Sequence, residues 1–514
     1  MSVPARRPDP AAARDPVVFA LLAACAALML VRVQLAAVPA LWIDETFSLH
    51  HARASLARLW TEGWRLESSP PLYYTVLWAW TRLVGDGEFA ARLLSFALTA
   101  AALPFVHGAA RTLGGPRAGA AAALAWLLPT LALEYAVEVR PYALQLCWIA
   151  IALAAFARLI VERHRLAAAG SARVALAIVP IVLAGAASFY THSTSFAFLC
   201  GLAVAGLYAA IATRAGRRAF LAWALACGVL ALLCVPQLVS MTGVLATNAS
   251  GLAWIGSPFD PWRLAFVAWQ VVLGQVHWRS VVALPLAAIV YGAFAHAAWR
   301  QRARAELVAV GVVVPAVGAA ALLAASAVQP VLLHRTALWL LMPMAIVFGC
   351  AAARADWRAT RTRVLALALL ATVVASTGAY LRVRPEQRPW PDVIAEVGRH
   401  AAPSDRVVVV DEEVACVHER YARGTLAGLP RARLDLGAAA RFHLGQRIAL
   451  DCNRLPALGP DALGTGGGAD WVLTGDDRER ADLDSAIAAS GGALRVTARI
   501  DRGGRVHATR VVRD

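Results

Sequence analysis

Apolar runs long enough to cross a bilayer fill most of the first 380 residues, separated by short connections that carry arginine, glycine or proline. A membrane-spanning helix takes about 17 to 25 apolar residues. Eleven stretches qualify, at 17–38, 90–110, 118–133, 141–159, 174–190, 195–212, 219–239, 281–299, 306–326, 336–353 and 364–381. The run at 71–84 is also apolar, but it is short and rich in Trp and Tyr. That combination predicts an interfacial or re-entrant helix. Beyond residue 385 the long runs stop, and Asp, Glu and Gly-rich turns appear. Residues 390–400 have the pattern of an amphipathic helix, 406–411 that of a buried strand, and 471–474 and 494–500 that of two further strands. The pattern therefore predicts an all-α polytopic membrane domain of eleven transmembrane helices, with interfacial helices in its first outer loop, and a smaller C-terminal soluble α/β domain.

Composition agrees, with 59% hydrophobic and 16% charged residues and a mean hydropathy of +0.59 over 514 residues. A soluble globular protein is excluded. The net charge is +16 and the chain contains no lysine, so any phosphate it holds must be held by guanidinium groups. Within residues 17–381 most arginines fall in alternate short loops, at 111–117, 158–173, 214–218, 300–304 and 354–363. Cytoplasmic loops carry the excess of positive charge. This places a tail at 1–16 inside, a transmembrane domain at 17–381 with its first outer loop at 39–89, and the 385–514 domain outside the cytoplasm. Arg382, Arg384 and Arg388, at the outer end of the last span, run against that trend. No small-residue cleavage site follows Val38, so the first span reads as retained. Nothing resembles a nucleic-acid-binding module.

Six cysteines lie in or at the ends of spans, where Cys behaves as a small hydrophobe. Cys416 and Cys452 stand in the soluble domain, where an oxidising compartment allows them to pair. No metal-ligand spacing is present. His192, His277 and His334 sit at the outer ends of spans or in outer loops, a common setting for structural histidines.

Four outward segments concentrate the remaining polar chemistry: Asp44-Glu45-Thr46; Glu67-Ser68-Ser69-Pro70-Pro71-Leu72-Tyr73-Tyr74; Glu134-Tyr135-Ala136-Val137-Glu138-Val139-Arg140-Pro141-Tyr142; and His334-Arg335. Ionisable groups near the bilayer cost desolvation and are read as functional by default. The competing explanations are a helix start, with Asp44 as N-cap and Glu45 in the first turn, and arginines that reach for lipid headgroups, with Glu138 merely neutralising Arg140.

The run Leu41-Trp42-Ile43-Asp44-Glu45-Thr46, the Pro70-Pro71-Leu72-Tyr73-Tyr74 element, Phe89-Ala90-Ala91-Arg92 and Glu138-Val139-Arg140-Pro141-Tyr142 resemble the polytopic GT-C-type membrane glycosyltransferases. That superfamily includes the protein O-mannosyltransferases and the aminoarabinose transferases of lipid A. The resemblance covers about residues 30–380 and is strongest before residue 160. It implies a multi-pass enzyme of the bacterial plasma membrane that takes a sugar from a polyprenyl-phosphate carrier and attaches it, with inversion, to an extracytoplasmic acceptor. Asp44 matches the family's catalytic acidic position and Glu45 its companion. Arg335 is similar to the late Arg that contacts the carrier phosphate, with Arg140 as a second candidate. Glu138 falls where relatives have a second acidic residue, and Ser69, Tyr73, Tyr74 and His334 complete the implied substrate-binding set. The implied partners are the lipid-linked donor, a cell-envelope glycan or lipid A-type acceptor, and membrane lipids. A divalent metal beside the acidic pair is allowed but not called for.

The chain departs from its relatives at Ser69, where many have His and aminoarabinose transferases have Lys. A hydroxyl brings no charge, so the phosphate-binding burden moves to arginine. The long inserted outer domain of eukaryotic protein mannosyltransferases is missing, which favours a lipid or polysaccharide acceptor over a protein. Two rival classes remain, a transporter and a non-catalytic envelope-assembly scaffold. A transporter predicts inverted repeats and midplane charge, whereas only Arg32 and Arg92 are prominent charges within spans and no matching halves are visible.

Overall fold

The computed structural model describes residues 15–37, 40–63, 69–168, 170–214, 216–248, 259–274, 279–383, 389–410, 412–422, 424–436, 455–475, 477–502 and 506–514. The N-terminal tail expected at 1–16, apart from its last two residues, and Glu67, Ser68, His277, Arg384, Arg388 and Cys452 lie outside them. The chain forms two compact units: residues 1–36, 92–241 and 255–380, and residues 37–91, 242–254 and 381–514.

The first unit is helical. Among the described residues nine helices are long and apolar enough to cross a membrane, including Pro16–Ala36, Glu88–Gly114 and Ser280–Arg300. The protein is therefore a multi-pass membrane protein. Two of the eleven expected spans take another form. The stretch 118–133 is broken into Pro116–Leu127 and Thr130–Tyr135, because Pro129 has no N–H to donate and an extended backbone. The stretch 336–353 begins as a short 3-10 turn, Leu338–Leu340, and continues as the helix Leu341–Ala352.

These two short helices pack on each other through small residues. A Cβ added at Gly349 would fall 2.5 Å from the Ala118 carbonyl oxygen and 2.6 Å from Ala122 Cβ. The same device joins Ser195–Ala212 to Val314–Val328, since a Cβ at Gly201 would lie 2.3 Å from the Val314 oxygen. In lipid, where water supplies no hydrophobic drive between helices, such close backbone contact is a principal source of association. The break at Pro129 also accounts for the buried charge of Arg32. Its guanidinium donates to the Leu28 oxygen at 3.1 Å and to the Leu127 oxygen at 2.5 Å, at the C-terminus of Pro116–Leu127. A cation suits the negative end of that helix.

The second unit joins the first-loop segment to the C-terminal α/β domain. The expected 14-residue helix is present as Pro71–Val84, and the domain opens with the helix Trp390–His400. Its strands are β1 (Arg406–Val409), β2 (Arg431–Leu434), β3 (Ala457–Leu458), β4 (Asp470–Thr474), β5 (Leu494–Arg502) and β6 (Val506–Arg513). They form one sheet in the order β3-β2-β1-β4-β6-β5, parallel from β3 to β4 and antiparallel thereafter. Strand β1 is the buried strand expected at 406–411, and its three valines are fully buried. β2, β3 and β6 were not legible in advance. The first two are short, and β6 intersperses His507, Thr509, Arg510 and Arg513 among its apolar residues. Cys416 is disulfide-bonded, whereas Cys25, Cys147, Cys200, Cys227, Cys234 and Cys350 are free.

Candidate active site

In the second unit the acidic pair opens the helix Ile43–Ala52, with Trp42 rather than Asp44 as its N-cap. Glu45 is wholly buried and folds back so that its Oε2 accepts the Trp42 N–H at 3.2 Å, closing the first turn. Asp44 is half-buried and one residue nearer the helix start, and its carbonyl oxygen accepts from Ser48 Oγ at 2.8 Å. Both carboxylates lie where the helix N-terminus favours negative charge. The two residues thus have different surroundings: Glu45 has a structural task, and Asp44 is the more accessible carboxylate.

In the same unit Ser69 is buried, as are Tyr73 and Tyr74 at the start of Pro71–Val84. The two tyrosine rings meet edge to face at 5.4 Å, and Tyr74 meets His51 the same way at 4.3 Å. Burial, reinforced by Arg58, pushes His51 down to about 4, so its imidazole is neutral at pH 7. The Pro-Pro-Leu-Tyr-Tyr element and the acidic-pair helix therefore belong to one packed group.

In the first unit the turn after Thr130–Tyr135 holds the second cluster. Ser95 Oγ donates to the Glu138 carbonyl oxygen, which also accepts the Arg140 N–H at 2.8 Å. Those contacts fix the backbone on which Glu138 and Arg140, both buried, are mounted. His334 Nδ1 lies 3.0 Å from Gln270 Oε1, and its Nε2 lies 3.2 Å from the Tyr135 hydroxyl. An amide oxygen only accepts, so Nδ1 carries the proton and Nε2 accepts from the tyrosine. Burial, helped by Arg335 and Arg263, holds His334 near 3, consistent with a neutral ring. His192 is likewise held near 3, by burial and then by Arg140 and Arg335, so both guanidinium groups act on it. Tyr135 is raised well above the usual phenol range by burial, with Glu134, Glu138 and Tyr142 adding to the shift and Arg335 opposing it.

The structure thus gathers Glu138, Arg140, His334 and Arg335 into one electrostatic group. It adds Gln270 and His192, which the sequence did not mark as site residues. Gln270 lies on the helix Pro261–Leu273. That helix was detectable from Asp260, whose side chain caps it by accepting the Trp262 N–H at 3.0 Å, followed by proline and an apolar run. Among the described residues no three His, Cys, Asp or Glu side chains converge as a metal site would require.

No family model matches the chain, and no curated protein matches its sequence. Solved structures do match. ArnT from Cupriavidus metallidurans in the apo state superposes with a TM-score of 0.55 at 16% identity, covering 96% of this chain and 98% of that one. ArnT bound to undecaprenyl phosphate gives 0.56 at 16% identity, over 96% and 97%. The chain has the GT-C fold. That architecture combines a helical membrane portion with a small C-terminal sheet domain, and the resemblance drawn from the motifs between Leu41 and Tyr142 holds at the level of the fold.

Proposed function

We propose that this protein is an integral-membrane glycosyltransferase that moves a sugar from a polyprenyl-phosphate carrier to an extracytoplasmic glycan or lipid acceptor. What carries the proposal is the group formed by buried Glu138 and Arg140 with half-buried Arg335, beside neutral His192 and His334, on a fold shared with an ArnT structure bound to undecaprenyl phosphate. A lipid phosphate is the leaving group. It departs as a stable anion and needs positive charge in a dry site more than it needs a proton. With no lysine in the chain, Arg140 and Arg335 are the groups to supply that charge, and their forked geometry suits a phosphate.

Asp44 is the general base. Its carboxylate takes the proton of the acceptor hydroxyl as that oxygen attacks the anomeric carbon, and the bond from that carbon to the carrier phosphate breaks on the opposite face, inverting the centre. Glu45 shapes the turn that presents Asp44. Glu138 accepts from sugar or acceptor hydroxyls, and Ser69, Tyr73 and Tyr74 complete the substrate-binding set. The arginine distribution among the loops supports an extracytoplasmic site, and the resemblance of the motifs supports a bacterial plasma membrane.

The test is a lipidomic comparison of cells lacking the protein, complemented with wild type or with Asp44→Asn. Asparagine keeps the size and removes the base. The expected result is that deletion and variant both accumulate one polyprenyl-phosphate sugar and lose one glycan modification, with variant protein levels unchanged. An Asp44→Asn strain with the wild-type profile would remove the base assignment and bring transport or scaffolding forward.

A further inference from the structure

Three consecutive backbone N–H groups lead into the acidic pair, and each is held by a side chain from a different element. The Ala40 N–H donates to Glu88 Oε2 at 3.1 Å, the Leu41 N–H to the Tyr421 hydroxyl at 2.7 Å, and the Trp42 N–H to Glu45 Oε2 at 3.2 Å. The Tyr421 hydroxyl in turn donates to Glu88 Oε1 at 2.5 Å, so one hydroxyl links two of the three anchors. The segment needs such holding. Ala40 has φ +68°, in the left-handed region that costs a non-glycine residue about 1 kcal/mol or more, and such strain persists only where the surroundings over-determine it.

Tyr421 closes the helix Glu412–Tyr421, which belongs to the C-terminal domain. Its neighbour Arg420 donates to the Asp86 carbonyl oxygen at 2.8 Å, and the Asp86 carboxylate pairs with Arg53 at 2.9 Å, just beyond the acidic-pair helix. On the same helix the Cys416 backbone hydrogen-bonds His50. A further anchor lies at the sheet. In an open α/β sheet, ligands settle at the carboxyl ends of the strands where the strand order reverses, here between β1 and β4. Gly475, directly after β4, is approached by Ile43, since a Cβ built there would meet Ile43 Cδ1 at 3.3 Å, and Ile43 packs on the domain core beside Trp390. Ile43 immediately precedes Asp44.

We infer that Tyr421 is a positioning residue for Asp44, and that the C-terminal domain serves the reaction by holding the 40–45 segment in its strained geometry. Tyr421 touches no reacting atom. It acts through the Leu41 N–H and Glu88, setting the direction in which the next turn presents the carboxylate. A base displaced by about 1 Å loses rate rather than binding, because its geometry matters in the transition state.

This inference rests on the glycosyltransferase reading, and two measurements on the full-length protein keep their failures apart. The first is native-state hydrogen exchange of wild type and Tyr421→Phe in detergent. Phenylalanine keeps the ring and removes the hydroxyl, so the Leu41 amide is expected to exchange about tenfold faster, with the β1 and β4 amides unchanged. The second is sugar transfer in membrane vesicles supplied with total polyprenyl-phosphate sugars extracted from the deletion strain. Tyr421→Phe is expected to lower kcat about tenfold with the donor KM within about twofold of wild type. Wild-type protection of Leu41 in Tyr421→Phe, or faster exchange with unchanged kcat, overturns the positioning role. Faster exchange in the variant combined with no transfer by wild type overturns the glycosyltransferase reading and leaves the clasp a structural one.

Discussion

Arg32 reaches from the first membrane helix to the carbonyl oxygen of Leu127, at the end of Pro116–Leu127, with its Nη2 2.5 Å away. A charge of the kind that marks an ion path in a transporter is here the cap of a helix whose hydrogen-bond ladder stops at Pro129. Arg32→Met is expected to strip that carbonyl of its charged donor and lower stability by about 2 kcal/mol. Arg32→Lys should recover only part of the loss, since one ammonium on a single stem does not reproduce the fork that meets both Leu28 and Leu127. Thermal unfolding in detergent, followed for all three proteins, measures this. Equal stability of Arg32→Met and wild type would contradict it.

Gly349 gives a prediction of packing. Its missing Cβ lets Leu341–Ala352 touch the Pro116–Leu127 backbone, with the Ala118 oxygen only 2.5 Å from where that atom would stand. Gly349→Leu should force the helices apart and reduce the yield of folded, monodisperse protein severalfold, and Gly108→Leu, where an added Cβ meets nothing within 4 Å, should be tolerated. Fluorescence-detected gel filtration distinguishes the two.

Arg335 should affect donor binding more than turnover. Removing its charge with Arg335→Gln is expected to raise the donor KM about tenfold or more. Lysine at the same position restores the charge without the fork and should fall between. The check is a titration of lipid-linked donor in vesicles, and an unchanged KM in Arg335→Gln would pass the phosphate to Arg140.

Acid should loosen the C-terminal domain. Burial, assisted by Arg431, pushes His418 down to about 4 in the folded protein, whereas an unfolded histidine titrates near 6.5. Below pH 6.5 the unfolded state binds the extra proton and the folded state does not, so stability falls with pH until about 4, where the folded ring also protonates. At its limit the loss is roughly 3 kcal/mol. His51 has the same sign and window. His418→Gln should show a shallower fall of Tm between pH 7 and 5 than wild type. A parallel slope would mean that other groups carry the acid sensitivity.

Much of the architecture is local enough to read directly. Among the described residues nine spans, the 14-residue helix Pro71–Val84 and the helix Trp390–His400 follow from run length, periodicity and flanking Pro or Gly, which act within a few residues. The candidate site residues were also legible as types, because carboxylates and arginines are conspicuous in apolar surroundings. Gln270 was not. An amide in a short apolar helix acquires meaning only when His334 stands 3.0 Å away, and the two residues are far apart in the chain.

Sequence alone settles that this is a lysine-free, multi-pass membrane protein with a separate α/β region and an acidic pair after its first span, since hydropathy and charge act position by position. Tertiary structure decides that Glu45 caps its own helix, that Arg32 caps another, that His334 is neutral with its proton on Nδ1, and that Tyr421 holds the backbone before Asp44. Each of these depends on which donor meets which acceptor after folding. Leu41 and Tyr421 are 380 positions apart, and a hydrogen bond over that separation is specified by the packing of whole elements, which no local pattern encodes.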